Sequence, residues 1–163
     1  MMRIAVCDDS PQFLQTAVTL IKTWSRQRNI PVELHTCSNG DELLAANAAA
    51  RLDIVFLDII MPLLNGIETA RELRKQDTSI RIIFLTSSPE FALDSYSVKA
   101  QGYLLKPVNE EHLIQTVTAC REEILASNKE RLALRQCERF QADSLENDLK
   151  ALLLAEKSVQ ADL

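Results

Sequence analysis

Glycine is scarce: the chain has three in 163 residues, and none stands in Asp8-Asp9-Ser10-Pro11, the stretch that follows the first apolar run. Such a loop lacks the Gly- and Thr-rich, anion-cradling backbone that the phosphate of a flavin mononucleotide would want, which speaks against flavin binding. Histidine is scarcer still. His35 and His112 have no ligand partners spaced around them, so each is expected to be structural or solvent-facing rather than catalytic. The four cysteines, Cys7, Cys37, Cys120 and Cys137, form no CxxC or Cys/His pattern, so a zinc site is not expected and the thiols should be reduced. Basic residues are not in excess: a net charge of -5 argues against a nucleic-acid-binding surface, which needs a basic patch. No apolar segment is long enough to span a membrane. Met1-Met2-Arg3-Ile4-Ala5-Val6 runs straight into a strand pattern instead of a signal peptide, and a cytoplasmic location is expected.

What the chain does have is an apolar fraction of 47%, enough for a real core, arranged as five short apolar runs that alternate with helical patterns. The central run is Ile54 to Leu57, which reads as a strand buried on both faces of a parallel sheet. It ends on Asp58. Pro62 and Gly66 then forbid continuing the strand, and Asn65 can cap a helix that starts at Gly66. Upstream, Arg3 to Cys7 forms a first strand ending on Asp8 and Asp9. Ser10 as N-cap and Pro11 at the first helical position open a helix to about Arg28, with Phe13, Ala17, Leu20, Ile21 and Trp24 on one stripe. Val32 to Cys37 reads as a second strand, and Ser38 with Asp41 is a plausible cap for an Ala-rich helix through about Arg51. Downstream, Ile80 to Leu85 is a fourth strand ending on Thr86, and Ser88-Pro89 can start a helix over Glu90 to about Val98. Tyr103 to Leu105 is a fifth strand ending on Lys106-Pro107, and Asn109 caps a helix carrying Leu113, Ile114, Val117, Cys120 and Ile124. The expected fold is α/β, a doubly wound five-stranded parallel sheet with right-handed crossovers.

Four strand ends then deliver polar groups to one sheet edge: Asp8 and Asp9, Asp58, Thr86 and Lys106. Taken singly, the first two read as helix-entry residues and Lys106 as a solvated loop lysine. Arriving together they form a set. Three carboxylates repel unless a cation joins them, and with few other ligands they suit Mg²⁺. Lys106 and Thr86 could hold the oxygens of a phosphoryl group delivered to Asp58, so the set describes an electrostatic clamp for phosphoryl transfer to a carboxylate.

Over residues 3 to about 126 the sequence resembles the receiver domains of two-component response regulators, through Asp8-Asp9-Ser10, Asp58 with Met61-Pro62 and Gly66, Thr86-Ser87, and Lys106-Pro107. The resemblance implies a flavodoxin-like strand order 2-1-3-4-5. It also implies that Asp58 is the phosphoacceptor, attacking the phosphohistidine of a sensor histidine kinase or phosphotransfer protein. Asp8, Asp9, Asp58 and the main-chain carbonyl of Ile60 would hold Mg²⁺, and Thr86 and Tyr103 would be the switch pair, with Lys106 sensing the phosphoryl group. Phe91 to Val108 looks most like receivers that precede LytTR-type DNA-binding domains, which implies a role in transcription regulation. On this reading the chain is a switch that assists its own phosphorylation, not an enzyme with an external substrate. A phosphorylation-independent pseudo-receiver is the alternative. An aspartyl-phosphate phosphohydrolase fits less well, because the second acid such enzymes carry two residues after the nucleophile is replaced by Ile60.

The 37 residues after position 126 are too few for a LytTR domain, so 1–126 is read as the receiver and 127–163 as a helical extension or truncated linker. The extension lacks Gly and Pro, and six Lys/Arg against seven Asp/Glu make it no basic arm. Ser144 could cap a helix with Leu145, Leu149, Leu152, Val159 and Leu163 on one stripe, interrupted by Glu156. Such a helix could form a homodimer, bind a partner or fold back on the receiver.

Overall fold

The computed structural model describes residues 1–161, with side chains as far as Ser158; of the C-terminal stripe, Leu163 and the Val159 side chain lie outside that range. Met1–Arg121 forms one compact unit, and the residues from Glu122 form a second. In the first unit the strands are β1 (Met2–Cys7), β2 (Val32–Cys37), β3 (Ile54–Leu57), β4 (Arg81–Thr86) and β5 (Gly102–Leu105). They make one parallel sheet in the order β2-β1-β3-β4-β5, as the sequence implied. All four residues of β3 are fully buried, and since successive side chains point to opposite faces, the sheet is covered on both sides. Phe56 and Phe84 are among the largest buried side chains, each contributing about 1.5–3 kcal/mol.

The helices are α1 (Pro11–Gln27), α2 (Gly40–Ala50), α3 (Gly66–Gln76), α4 (Ala92–Ser97) and α5 (Glu110–Ala161). Two start where the sequence put them. The Phe13 amide donates to Ser10 Oγ at 3.3 Å with Pro11 opening α1, and the Glu68 amide donates to Asn65 Oδ1 at 2.9 Å. Helix α2 corrects the reading by one residue: its cap is Asn39, whose Oδ1 accepts the Glu42 amide at 2.9 Å, while Glu42 reaches back to the Ser38 amide at 2.7 Å. Ser38 and Asn39 each have an acid three residues on, and it is Glu42, not Asp41, that makes the reciprocal bonds, which puts the cap at Asn39. Asn39→Ala is expected to lower stability by about 1 kcal/mol and Ser38→Ala by less, read from urea midpoints.

Helix α4 is shorter than expected and has no side-chain cap. Ser88 Oγ accepts the Glu90 amide at 3.4 Å, yet the helix starts only at Ala92; the Ser88 amide donates to Thr86 Oγ1 at 3.3 Å and its carbonyl accepts the Tyr103 hydroxyl. The far end of α4 is held by one side chain. Arg74 Nε donates to the Val98 carbonyl at 2.7 Å, Nη2 to the Lys99 carbonyl at 3.0 Å and Nη1 to the Ile80 carbonyl at 2.5 Å.

At the start of α5, Asn109 Oδ1 accepts the Glu111 amide at 2.9 Å, and Leu113, Val117 and Cys120 are buried. The expectation of a second helix capped by Ser144 is overturned, because α5 runs unbroken through that position. With no Gly or Pro between 127 and 161, nothing ends it, and a single serine is tolerated in a helix interior. No helix among the described residues is long and apolar enough to cross a membrane.

Candidate functional site

The carboxyl edge of the sheet fixes its polar residues because the strand ladder continues one residue past the strands. The Asp8 amide donates to the Cys37 carbonyl at 3.1 Å, the Asp58 amide to the Cys7 carbonyl at 2.9 Å, and the Lys106 amide to the Thr86 carbonyl at 2.8 Å. Asp8 and Asp58 are buried, at 1% and 5% exposure, and Asp9 is exposed. One carboxylate oxygen from each of the three lies within 4.8 Å of the others. Lys106 bridges the buried pair, its Nζ donating to the Asp8 carboxylate and to Asp58 Oδ2 at 3.3 Å. The Ser10 amide donates to Asp8 Oδ1 at 2.9 Å and the Ile60 amide to Asp58 Oδ1 at 3.3 Å, so each buried acid also has a backbone donor.

One ammonium among three carboxylates leaves the cluster electronegative. Burial pushes the Asp58 carboxyl above the usual carboxylate range; Lys106 opposes that shift and Asp8 adds to it. The donor set is all hard oxygen and short of positive charge, which fits a divalent ion of the Mg²⁺ type. Behind Asp58 the turn closes on Gly66, whose amide donates to the Ile59 carbonyl at 2.8 Å. A Cβ at Gly66 would overlap the Asp58 carbonyl oxygen and come within 2.7 Å of Ile59 Cα, so the crossing requires glycine.

The structure thus gathers Asp8, Asp9, Asp58 and Lys106 into one cluster. Thr86, fully buried at the end of β4, and Tyr103 on β5 meet elsewhere: both bond to Ser88, one through its amide and the other through its carbonyl. Sequence reasoning singled out neither Ser88 for this role nor Phe13, whose ring lies 4.3 Å from Lys106 Nζ. Phe13 was legible only as part of an apolar stripe. Ile60 is exposed, and its amide is the group that reaches Asp58. His35 Nε2 lies 3.1 Å from Glu33 on β2, and His112 is exposed on α5. The cysteines are free thiols, buried except for Cys137.

The family model of the response regulator receiver domain matches residues 4–118. The chain belongs to this family. Receivers are signalling domains of two-component systems that bind Mg²⁺ at an acidic pocket, and this chain has an acidic cluster of Asp8, Asp9 and Asp58. This receiver is 34% identical over 116 residues to the positive alginate biosynthesis regulatory protein of Pseudomonas aeruginosa, covering 71% of this chain and 46% of that protein. It is 38% identical over 88 residues to the sensory transduction protein LytT of Oceanobacillus iheyensis, covering 53% of this chain and 36% of that protein. The likeness is to receivers of LytTR-type regulators, and the chain spans about half the length, or less, of these two relatives. Among solved structures, the chemotaxis protein CheY4 of Vibrio cholerae superposes with a TM-score of 0.65 at 30% identity, covering 74% of this chain and 98% of that one.

Proposed function

We propose that this receiver accepts a phosphoryl group on Asp58 from the phosphohistidine of a sensor histidine kinase or phosphotransfer protein. In that step an Asp58 carboxylate oxygen forms the new P–O bond as the P–N bond to the imidazole breaks, and the departing imidazole takes up a proton. Asp8, Asp9 and Asp58, with the main-chain carbonyl of Ile60, would hold Mg²⁺, which supplies positive charge opposite the phosphoryl oxygens. Lys106 stands ready to exchange its carboxylate partner on Asp58 for a phosphoryl oxygen. The observation that carries the reading is Asp58 itself, a buried carboxylate at a strand end with an ammonium 3.3 Å away and two further acids beside it.

The readout would pass through Ser88. If the Thr86 hydroxyl turns to the phosphoryl group, it gives up the Ser88 amide, and the Tyr103 hydroxyl on the Ser88 carbonyl is released with the turn. A partner-binding or dimerisation surface would then change shape in a cytoplasmic signalling chain. Intact mass after incubation with acetyl phosphate tests the reading. A phosphate adduct is expected with Mg²⁺, and none with chelator or in Asp58→Asn. No adduct under any condition would leave a pseudo-receiver that binds partners without phosphorylation.

A further inference from the structure

Strand β2 is an edge of the sheet. Its ladder to β1 runs residue for residue, from Met2 opposite Val32 to Cys7 opposite Cys37. The Met2 amide donates to the Pro31 carbonyl at 3.1 Å and the Asp8 amide to the Cys37 carbonyl at 3.1 Å, so the odd-numbered residues of β2 are the ones that bond to β1. The amides and carbonyls of Val32, Leu34 and Thr36 therefore point to the open edge. The same three residues line a groove of about 480 Å³ whose other wall is Val18, Lys22 and Arg26 of α1.

Charge and spacing say what fits. From Pro11 to Val32 the chain has three bases, Lys22, Arg26 and Arg28, and no acid, although the whole chain carries -5. Arg28 sits over the Trp24 ring at 5.9 Å, whereas neither Lys22 nor Arg26 forms an ion pair among the described residues. The one acid of β2, Glu33, lies on the opposite face of the strand and is held by Arg3 at 3.2 Å. Lys22 and Arg26 are about 6 Å apart along α1, and alternate residues of an extended chain are about 6.7 Å apart on one face. We propose that this edge takes up an extended acidic segment of a partner protein as an added strand, two acidic side chains at alternate positions meeting Lys22 and Arg26. The main chain of Val32, Leu34 and Thr36 supplies the adhesion, and the two bases select the acid. A second copy is the wrong occupant: antiparallel pairing of β2 with β2 would set the Lys22 and Arg26 of both chains side by side on one face, where like charges deter pairing.

The probe is a short capped peptide of alternating valine and glutamate, titrated into the isotope-labelled full chain and followed by NMR. The amide protons of Val32, Leu34 and Thr36 are expected to move downfield as they gain acceptors, with half-saturation below about 1 mM, while those of Glu33 and His35 move far less. Lys22→Glu with Arg26→Glu should weaken binding by about tenfold or more with the thermal transition retained. That variant should instead accept a peptide with lysine in place of glutamate, which the native chain refuses. Asp58→Asn should bind the glutamate peptide as the native chain does, so this proposal and phosphorylation of Asp58 stand or fall separately. The proposal is overturned if the peptide causes no shifts at several millimolar, if only the α1 side chains respond, or if the lysine peptide binds the native chain equally. It is overturned too if a DNA duplex titrates this face where the peptide does not, or if the same amides are already paired in a dimer that sedimentation detects without peptide.

Discussion

Replacing Gly66 by alanine is expected to destabilise the receiver by about 3–4 kcal/mol and to abolish the phosphate adduct on Asp58. The added methyl would meet only backbone: the Asp58 carbonyl oxygen, Ile59 Cα at 2.7 Å and the Asp58 carbonyl carbon at 2.9 Å. Main chain held in a sheet ladder cannot rotate away, so either the start of α3 or the end of β3 must shift. The second movement would displace the acceptor carboxylate. Alanine's better helix propensity recovers at most about 1 kcal/mol of the loss. Gly40→Ala is the matched control, because the Cβ there overlaps Thr69 Oγ1, the end of a side chain that can change rotamer. Its cost should be the smaller, about 1–2 kcal/mol. Equal urea midpoints for the two variants would remove the argument.

The second large effect is electrostatic. Lys106→Met is expected to lower stability by about 2–4 kcal/mol at pH 7 in chelator, because Asp8 and Asp58 would be left buried side by side without their ammonium. Millimolar Mg²⁺ should recover part of that loss by binding the folded state. The pH dependence has a definite sign. The Asp58 carboxyl is raised from 3.8 mainly by burial, so the folded state holds its proton more tightly than the unfolded chain does. Stability therefore falls as pH rises from 3.8 through the folded value, and the penalty is complete above it. Asp58→Asn removes the penalty: it should melt higher than the native chain at pH 7 in chelator, with the difference shrinking towards pH 4. A Lys106→Met protein as stable as the native chain at pH 7 would show that the lysine is not the counter-ion of the pair.

The fold was legible because each strand is a short apolar run closed by a polar residue, and in a parallel sheet those closing residues share one edge. Asp8, Asp58, Thr86 and Lys106 could be placed there from their neighbours alone. The contacts that cross between elements could not. Ser38 and Asn39 are equal candidates until the geometry of Glu42 chooses between them, and Ser88-Pro89 has the composition of a helix start, yet α4 begins only at Ala92 and the Ser88 carbonyl is taken by the Tyr103 hydroxyl, fifteen residues on. In the sequence Arg74 is one basic residue of the helix that starts at Gly66, and nothing in its neighbourhood points to the carbonyls of Ile80, Val98 and Lys99. For α5 the sequence offered a cap at Ser144 but no preceding stop, and without a stop the cap signal has no effect.

The two ends of the segment from Ser88 to Lys99 are restrained very unequally. At its far end Arg74 drives two hydrogen bonds into Val98 and Lys99 and a third into Ile80, and the Gln101 amide donates to the Ile82 carbonyl at 2.8 Å, so side chain and backbone both hold it. The near end depends on the bonds of Ser88 to one hydroxyl from Thr86 and one from Tyr103. Mechanically this is a flap with a fixed hinge and a light latch. Release at Thr86 would swing the segment about the Val98 pivot, so the Ser88 end, farthest from that pivot, would sweep the widest arc.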